Sequence, residues 1–279
     1  MLTAPVRQLG ETERGAVERL LDQDPYAAAQ VTERVAEHGL ASWRADGRIL
    51  GYGTARRIES LCWLGSQLTP VRAGPAAVAA FAELLRGEER YYSSIVGQAD
   101  GVLGLWEHLS ADWGPARDVR ANQPLLVADE VPGLAADPQV RLVRPGELDL
   151  LFPAAVAMYT EEVGVSPLAE DGGASYRRRL AELVRARRAY ARIEDGRVIF
   201  KAELAVVTHR TAQVQGVWVD PAWRGQGLAT AAMVTVLQDA LARVAPTVSL
   251  YVNDYNEPAR RVYRRCGFRP VGTFATVLF

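Results

Sequence analysis

Val217-Trp218-Val219-Asp220-Pro221-Ala222-Trp223-Arg224-Gly225-Gln226-Gly227-Leu228-Ala229-Thr230 is an apolar run that enters a glycine-rich turn and then an apolar helix. Val214, Gly216, Val217, Trp218 and Val219 read as a strand that stops at Asp220-Pro221, because proline has no N–H to give to a sheet ladder. From Leu228 onward Ala229, Ala232, Met233, Val236, Leu237 and Ala240 recur at helical spacing, which places the first helical turn at Gly225 to Ala229. The unpaired N–H groups of a first turn, together with the positive end of the helix dipole, suit a phosphate or pyrophosphate. Gly225 and Gly227 let such a group come close to the backbone, and Arg224 adds a fixed positive charge beside them.

Three phosphate motifs share this strand–turn–helix geometry. A P-loop needs Gly-Lys-Ser/Thr, whereas the turn continues Gly227-Leu228-Ala229 and the chain's one lysine, Lys201, lies elsewhere. The dinucleotide fingerprint G-x-G-x-x-G is nearly met by Gly225, Gly227 and Thr230, with Asp254 near the end of the next expected strand as a ribose acid. Too little chain follows Asp254, however, for the remaining units of a doubly wound sheet. The third motif, R/Q-x-x-G-x-G/A, is met by Arg224, Gly227 and Ala229.

The next segment bears on the choice. Thr247-Val248-Ser249-Leu250-Tyr251-Val252 alternates as a strand does, and Asn253-Asp254-Tyr255-Asn256-Glu257-Pro258-Ala259-Arg260-Arg261-Val262-Tyr263-Arg264-Arg265-Cys266-Gly267-Phe268 follows. Asn256 is a good N-cap, Pro258 is tolerated in a first turn, and Gly267 is a good C′ stop. The result is one short helix with Ala259, Val262, Tyr263 and Cys266 on one face and Arg260, Arg261, Arg264 and Arg265 on the other.

With R-x-x-G-x-G/A on a strand-to-helix turn and Asn-x-x-Ala-x-x-x-Tyr-x-x-x-Gly-Phe one strand and one helix later, the chain resembles the GNAT superfamily of acyl-CoA N-acyltransferases. The resemblance covers roughly residues 138–279. It implies an α/β (α+β) fold in which a mixed, largely antiparallel twisted sheet is flanked by helices, and acetyl-CoA as acyl donor, with no metal. It further implies that the backbone of Val217, Trp218 and Val219 pairs with the pantetheine arm, and that the amides of Gly225, Gln226, Gly227, Leu228, Ala229 and Thr230 hold the pyrophosphate beside Arg224. Asn256 would contact the cofactor arm near the thioester, and Tyr263 would protonate the departing thiolate. The residue types suit the chemistry: a thiolate of pKa about 8.5 leaves with help from a phenol of pKa about 10, and the developing oxyanion needs a backbone donor.

The general base departs from the family pattern. An amine nucleophile of pKa about 10 is mostly protonated at neutral pH and must give up a proton. The two places where such families often carry a glutamate hold Gln213 and Tyr251. The candidates are Glu203, on the strand after the Asp195-Gly196 hairpin, and Glu161 and Glu162, at the end of the domain's first helix where the family's acceptor loop lies. Being adjacent on a helix, Glu161 and Glu162 cannot both face one site.

The first half repeats the order of elements. Pro5-Val6-Arg7-Gln8-Leu9-Gly10-Glu11 echoes Gln139-Val140-Arg141-Leu142-Val143-Arg144-Pro145-Gly146-Glu147, and Ala45-Asp46-Gly47-Arg48-Ile49-Leu50-Gly51 echoes the hairpin at Asp195-Gly196. Leu64 to Pro70 with a helix from Pro75 to Leu85 matches the phosphate-turn unit. Ser93 to Val96, a helix through Trp106 and Leu109, and Trp113-Gly114-Pro115 match the Asn-to-Tyr unit. The chemistry is missing, since Thr69-Pro70-Val71-Arg72-Ala73-Gly74-Pro75 lacks the phosphate motif and the second helix has no tyrosine. We therefore expect residues 1–130 to form a degenerate GNAT-like domain and residues 138–279 the catalytic one. That order resembles the tandem arrangement of actinobacterial members.

A length of 279 residues with 49% hydrophobic content supports two modest cores, and the stretch from Ala128 to Pro138 reads as the break between them. A net charge of −1 argues against nucleic acid as a partner. Arg177, Arg178, Arg179, Arg185, Arg187 and Arg188 make the one strongly basic segment, read as a solvated helix face or as an attractor of acidic ligands. Cys62 and Cys266 offer no disulfide framework, and His38, His108 and His209 belong to no metal motif. With no signal peptide or membrane-length apolar run, the expected location is the cytoplasm, and the expected partner is an amine acceptor, small molecule or protein. A non-enzymatic acyl-CoA-binding or regulatory module is the alternative that the missing base suggests; a nicotinamide-dependent oxidoreductase is the one suggested by Gly225, Gly227 and Asp254.

Overall fold

The computed structural model describes residues 6–40, 47–54, 57–169 and 171–279. Pro5, Ala45 and Asp46, parts of the repeat noted above, lie outside the described residues. Two compact units emerge, each discontinuous in sequence. The first joins Met1–Leu126 with Tyr251–Asn256 and Pro270–Phe279, and the second joins Val127–Leu250 with Glu257–Arg269.

In the first unit the elements are β1 (Val6–Gln8), α1 (Arg14–Leu21), α2 (Ala29–His38), β2 (Arg48–Thr54), β3 (Arg57–Leu64), β4 (Gln67–Val71), α3 (Pro75–Arg86), β5 (Ser94–Gln98), α4 (Ala99–Trp113) and β6 (Asp118–Ala128). Within the stretch from Leu64 to Pro70, Gly65 and Ser66 form a bend, so that β3 and β4 make an antiparallel pair with Leu64 opposite Leu68. Strands β1 to β4 are antiparallel neighbours, and β4 and β5 are parallel. Leu68, Phe81, Leu85, Ile95, Leu105 and Leu109 are fully buried on one side of this sheet, under α3 and α4.

The second unit runs β7 (Arg141–Leu142), α5 (Leu148–Val163), α6 (Ala174–Arg185), β8 (Ala189–Glu194), β9 (Arg197–Val207), β10 (Ala212–Val219), α7 (Leu228–Arg243), β11 (Val248–Tyr251) and α8 (Glu257–Arg265). Its strand order is β11-β10-β9-β8-β7, antiparallel except for the β10–β11 pair. Asp195 at φ 47° and Gly196 at φ 74° turn β8 into β9, as the Asp-Gly pair requires of a tight hairpin. Leu151, Ala155, Leu180, Ala189 and Ala191 bury the α5 and α6 faces against the sheet. The chain ends in β12 (Arg269–Leu278), which pairs antiparallel with β5, Ala275 opposite Gly97. The last strand in sequence therefore completes the sheet of the first unit.

Among the described residues no helix is long and apolar enough to cross a membrane, and no group of three or more His, Cys, Asp or Glu side chains could hold a metal ion.

Candidate active site

The β10 strand holds a bulge where a regular strand would pair straight through. Gln215 lies opposite Glu203 and Trp218 opposite Lys201, so Gly216 and Val217 together face one residue of β9 and have no ladder partner there. Gly216 sits at φ 58°, a conformation glycine takes without steric cost. On the other edge, β10 meets β11 only at Ala212–Val248 and Gln213–Ser249. From Val214 to Val219 that edge has no ladder partner, which leaves backbone groups for an extended ligand.

Asp220 ends the strand by accepting the Ala222 N–H at 2.9 Å, and Arg197 pairs with its other oxygen at 3.0 Å. Gly225 (φ 77°) and Gly227 (φ 79°) then bend the chain into α7, with Gly227 at the N-cap. A Cβ added at either glycine would meet no described heavy atom within 4 Å, so both open onto free space at the helix N-terminus. The Thr230 N–H is turned back to the Gly227 carbonyl at 3.3 Å, which leaves the amides before it as the better anion donors. The far end of α7 is fixed by Asp239, which accepts from Tyr190 at 2.6 Å and from Arg243 at 2.7 Å.

Arg224 is already engaged. Its guanidinium makes a two-pronged ion pair with Glu161 at 2.8 and 2.7 Å, and its Nε donates to the Val219 carbonyl at 3.0 Å. Trp218 Nε1 donates to the same carboxylate at 3.3 Å, and the Arg224 contact holds the Glu161 carboxyl below the usual range. Glu161 thus ties the end of α5 to the glycine turn before α7, and its lowered pKa makes it a weak proton acceptor.

Glu203 and Lys201 lie under the bulge. Both are buried, at 4% and 1% exposure. Lys201 Nζ donates to the Gly216 carbonyl at 2.8 Å and lies 3.5 Å from Glu203 Oε2; Arg179 of α6 lies 3.5 Å from Glu203 Oε1. A Cβ on Gly216 would stand 2.7 Å from Lys201 Nζ and 3.2 Å from Glu203 Cδ, so the pair abuts the bulge. Tyr176 donates to the Ala155 carbonyl at 3.1 Å; its phenol is raised well above its ordinary pKa, first by burial and then by Glu203, with a further push from Glu162.

Tyr263 is positioned by the end of α8. The Phe268 N–H bonds to the Tyr263 carbonyl at 3.0 Å and the Gly267 N–H to Arg264 at 3.2 Å, with Gly267 at φ 85°. These two bonds are a Schellman stop, and the Phe268 ring packs on Tyr263 at 5.8 Å as that motif favours. Cys266 Sγ lies 3.7 Å from the Thr230 carbonyl, which joins α8 to the first turn of α7. The Tyr263 phenol is buried and raised well above its ordinary pKa, by burial first and then by the negative charge of Glu162. Glu162 thus acts electrically on both Tyr263 and Tyr176, while Glu203 sits at the bulge. Asn256 is exposed, just before α8, with its N–H bonded to the Asn253 carbonyl at 3.0 Å.

The two positions lacking a family glutamate have other roles. Gln213 is buried, accepts from Gln215 at 3.0 Å, and keeps its Nε2 without a partner. The Tyr251 ring packs on Phe274 at 5.1 Å. Lys201, Gly216, Arg179 and Tyr176 were missed by the motif reading. One signal was present: Lys201 and Glu203, two positions apart in an otherwise apolar strand, must share a face.

In the first unit the parallel ladder is equally short, Gln67–Ser94 and Leu68–Ile95. There the neighbouring helix closes in. A Cβ on Gly101 would lie 3.3 Å from Pro70 Cγ, and one on Gly97 3.2 Å from the Pro70 carbonyl.

Residues 154–268 match the family described as "Acetyltransferase (GNAT) family", and residues 47–151 match a domain of unknown function, DUF4081. Among solved structures, the chain is similar over its whole length to a GCN5-related N-acetyltransferase from Sphaerobacter thermophilus, with TM-score 0.62, 17% identity, and coverage of 100% of this chain and 96% of that one. It is also similar to a Drosophila protein, with TM-score 0.66, 15% identity and 99% of each chain covered. A tandem GNAT protein from the clavulanic acid biosynthesis pathway aligns with TM-score 0.55, 16% identity and 98% of each chain covered. No curated protein matches the sequence.

Proposed function

Because residues 154–268 match the GNAT acetyltransferase family and the chain is similar in fold to a tandem GNAT protein, we propose that the protein moves an acetyl group, or a related acyl group, from CoA to a primary amine of a small molecule or protein. The observation that carries this reading is the conjunction, in one unit, of an unpaired strand edge with a bulge and a glycine-lined helix N-terminus that a Cβ would fill. Those features fit the arm and pyrophosphate of acyl-CoA: Val217, Trp218 and Val219 would pair with the arm, and the amides from Gly225 to Ala229 would take the phosphates. Asn256 is assigned to the arm near the thioester. The thioester supplies an activated acyl group with a thiolate leaving group.

Glu203 takes the proton that the amine loses as its N–C bond forms, directly or through a water. Tyr263 delivers a proton to the sulfur as the C–S bond breaks. Glu203 is favoured over Glu162 because it abuts the bulge, whereas Glu162 acts on the two phenols. The first unit is assigned a structural role with no CoA seat, because the close approach of Gly97 and Gly101 to Pro70 fills the space beside β4 and Pro75 stiffens the first turn of α3.

Thiol release from acetyl-CoA, measured against a panel of amino acids, polyamines, aminoglycosides and lysine peptides, is expected to depend on one class of amine. Glu203→Gln should cut that rate about 100-fold and Glu162→Gln less than about tenfold. The reverse ranking would move the base to Glu162. Bound acetyl-CoA with no thiol release for any amine would favour the regulatory module, the reading suggested by Gln213 and Tyr251.

A further inference from the structure

We propose that Lys201 is a positioning residue: by holding the Gly216 carbonyl it aims the Val217 N–H at the acyl carbonyl oxygen. The inference rests on the acetyl-CoA reading above and goes beyond it.

A lysine at 1% exposure is costly unless its ammonium is partnered, and an apolar residue at this strand position would avoid that cost. What the lysine adds is its head group. Nζ donates to the Gly216 carbonyl at 2.8 Å and fills the space in which a Gly216 side chain would otherwise stand. The bulge and the ammonium therefore fit one another, and Glu203 at 3.5 Å supplies the countercharge.

The peptide plane carries the effect onward. In a trans peptide the C=O of one residue and the N–H of the next point in opposite directions, and the described residues contain no cis bond. With the Gly216 carbonyl turned to Lys201, the Val217 N–H points away from it. Val217 has no ladder partner in β9 and the β11 ladder stops at Gln213, so no ladder pair claims that N–H. A donor of this kind, fixed before the ligand arrives, is what a developing oxyanion requires. The cation at the carbonyl end also polarises the peptide and strengthens the N–H as a donor.

The test reads the bond itself and needs no acceptor. In isotope-edited infrared spectra of acetyl-CoA carrying 13C at the thioester carbonyl, binding to the native protein is expected to lower the C=O stretch below its value in water. In Lys201→Met the band should return toward the free value, while the Kd for acetyl-CoA stays within about threefold. The same band position in both proteins would overturn the proposal. If the single variant does not fold, Lys201→Met with Glu203→Gln removes the buried pair as a whole, and the same two outcomes apply. A native protein that fails to bind acetyl-CoA would instead overturn the functional reading beneath it.

Discussion

Replacing Gly227 with tryptophan is expected to abolish acetyl-CoA binding, a loss of at least about 100-fold in affinity, while the protein keeps its cooperative melting. The expectation follows from two facts about the same residue. Gly227 holds φ 79° at the N-cap of α7, so any side chain there pays a backbone penalty of roughly 1–2 kcal/mol, which a domain of this size tolerates. An added Cβ would meet no described heavy atom within 4 Å, so a side chain there starts out into the space assigned to the pyrophosphate. The effect should therefore fall on the ligand and spare the core. Gly227→Ala is the graded control, with a smaller loss. Undiminished binding by the tryptophan variant would mean that phosphates do not sit on these amides.

The second large effect is expected at Tyr263. Tyr263→Phe should lower amine acylation by about 100-fold or more while leaving the Kd for acetyl-CoA within about threefold, because only the proton donor is lost. The pH dependence has a defined sign. Burial and Glu162 raise the phenol above its ordinary pKa, so Tyr263 stays protonated through neutral and mildly alkaline pH. The acid should thus be present across that range, and the alkaline loss of rate that deprotonation would bring should begin only above pH 10, the ordinary phenol value. Equal turnover in the phenylalanine variant would remove Tyr263 from the chemistry.

The parts of the site that were legible in the sequence are those set by neighbours along the chain. Asp220-Pro221 stops β10, Gly225 and Gly227 open α7, and Gly267-Phe268 closes α8 and seats Tyr263; each depends on a local conformation that glycine or proline makes readable. The parts that were not legible depend on pairing at a distance. Arg224 and Glu161 are 63 positions apart, and no spacing rule brings an arginine beside the glycine turn to the end of α5. The bulge at Gly216 is a one-residue shift of register against β9, which strand periodicity does not specify. Lys201 could be recognised as unusual for its strand, but its partner is a backbone carbonyl, which carries no side-chain signal. The membership of β12 in the first unit likewise rests on its pairing with β5, far back in the chain.

These points also explain why the two halves, similar in the order of their elements, are assigned different roles. Both have a short parallel ladder that opens after two pairs. In the second unit glycines border the open space; in the first, Gly97 brings β5 and Gly101 brings α4 onto Pro70. Glycine serves opposite ends in the two places, leaving room in one and allowing close packing in the other.

Calorimetric titration of the whole protein with acetyl-CoA, with NAD as the control, tests the central claim most directly. One acetyl-CoA per chain at micromolar affinity, with no heat from NAD, is the predicted result. An absence of acetyl-CoA binding would contradict the account, and two sites per chain would contradict the structural role assigned to the first unit.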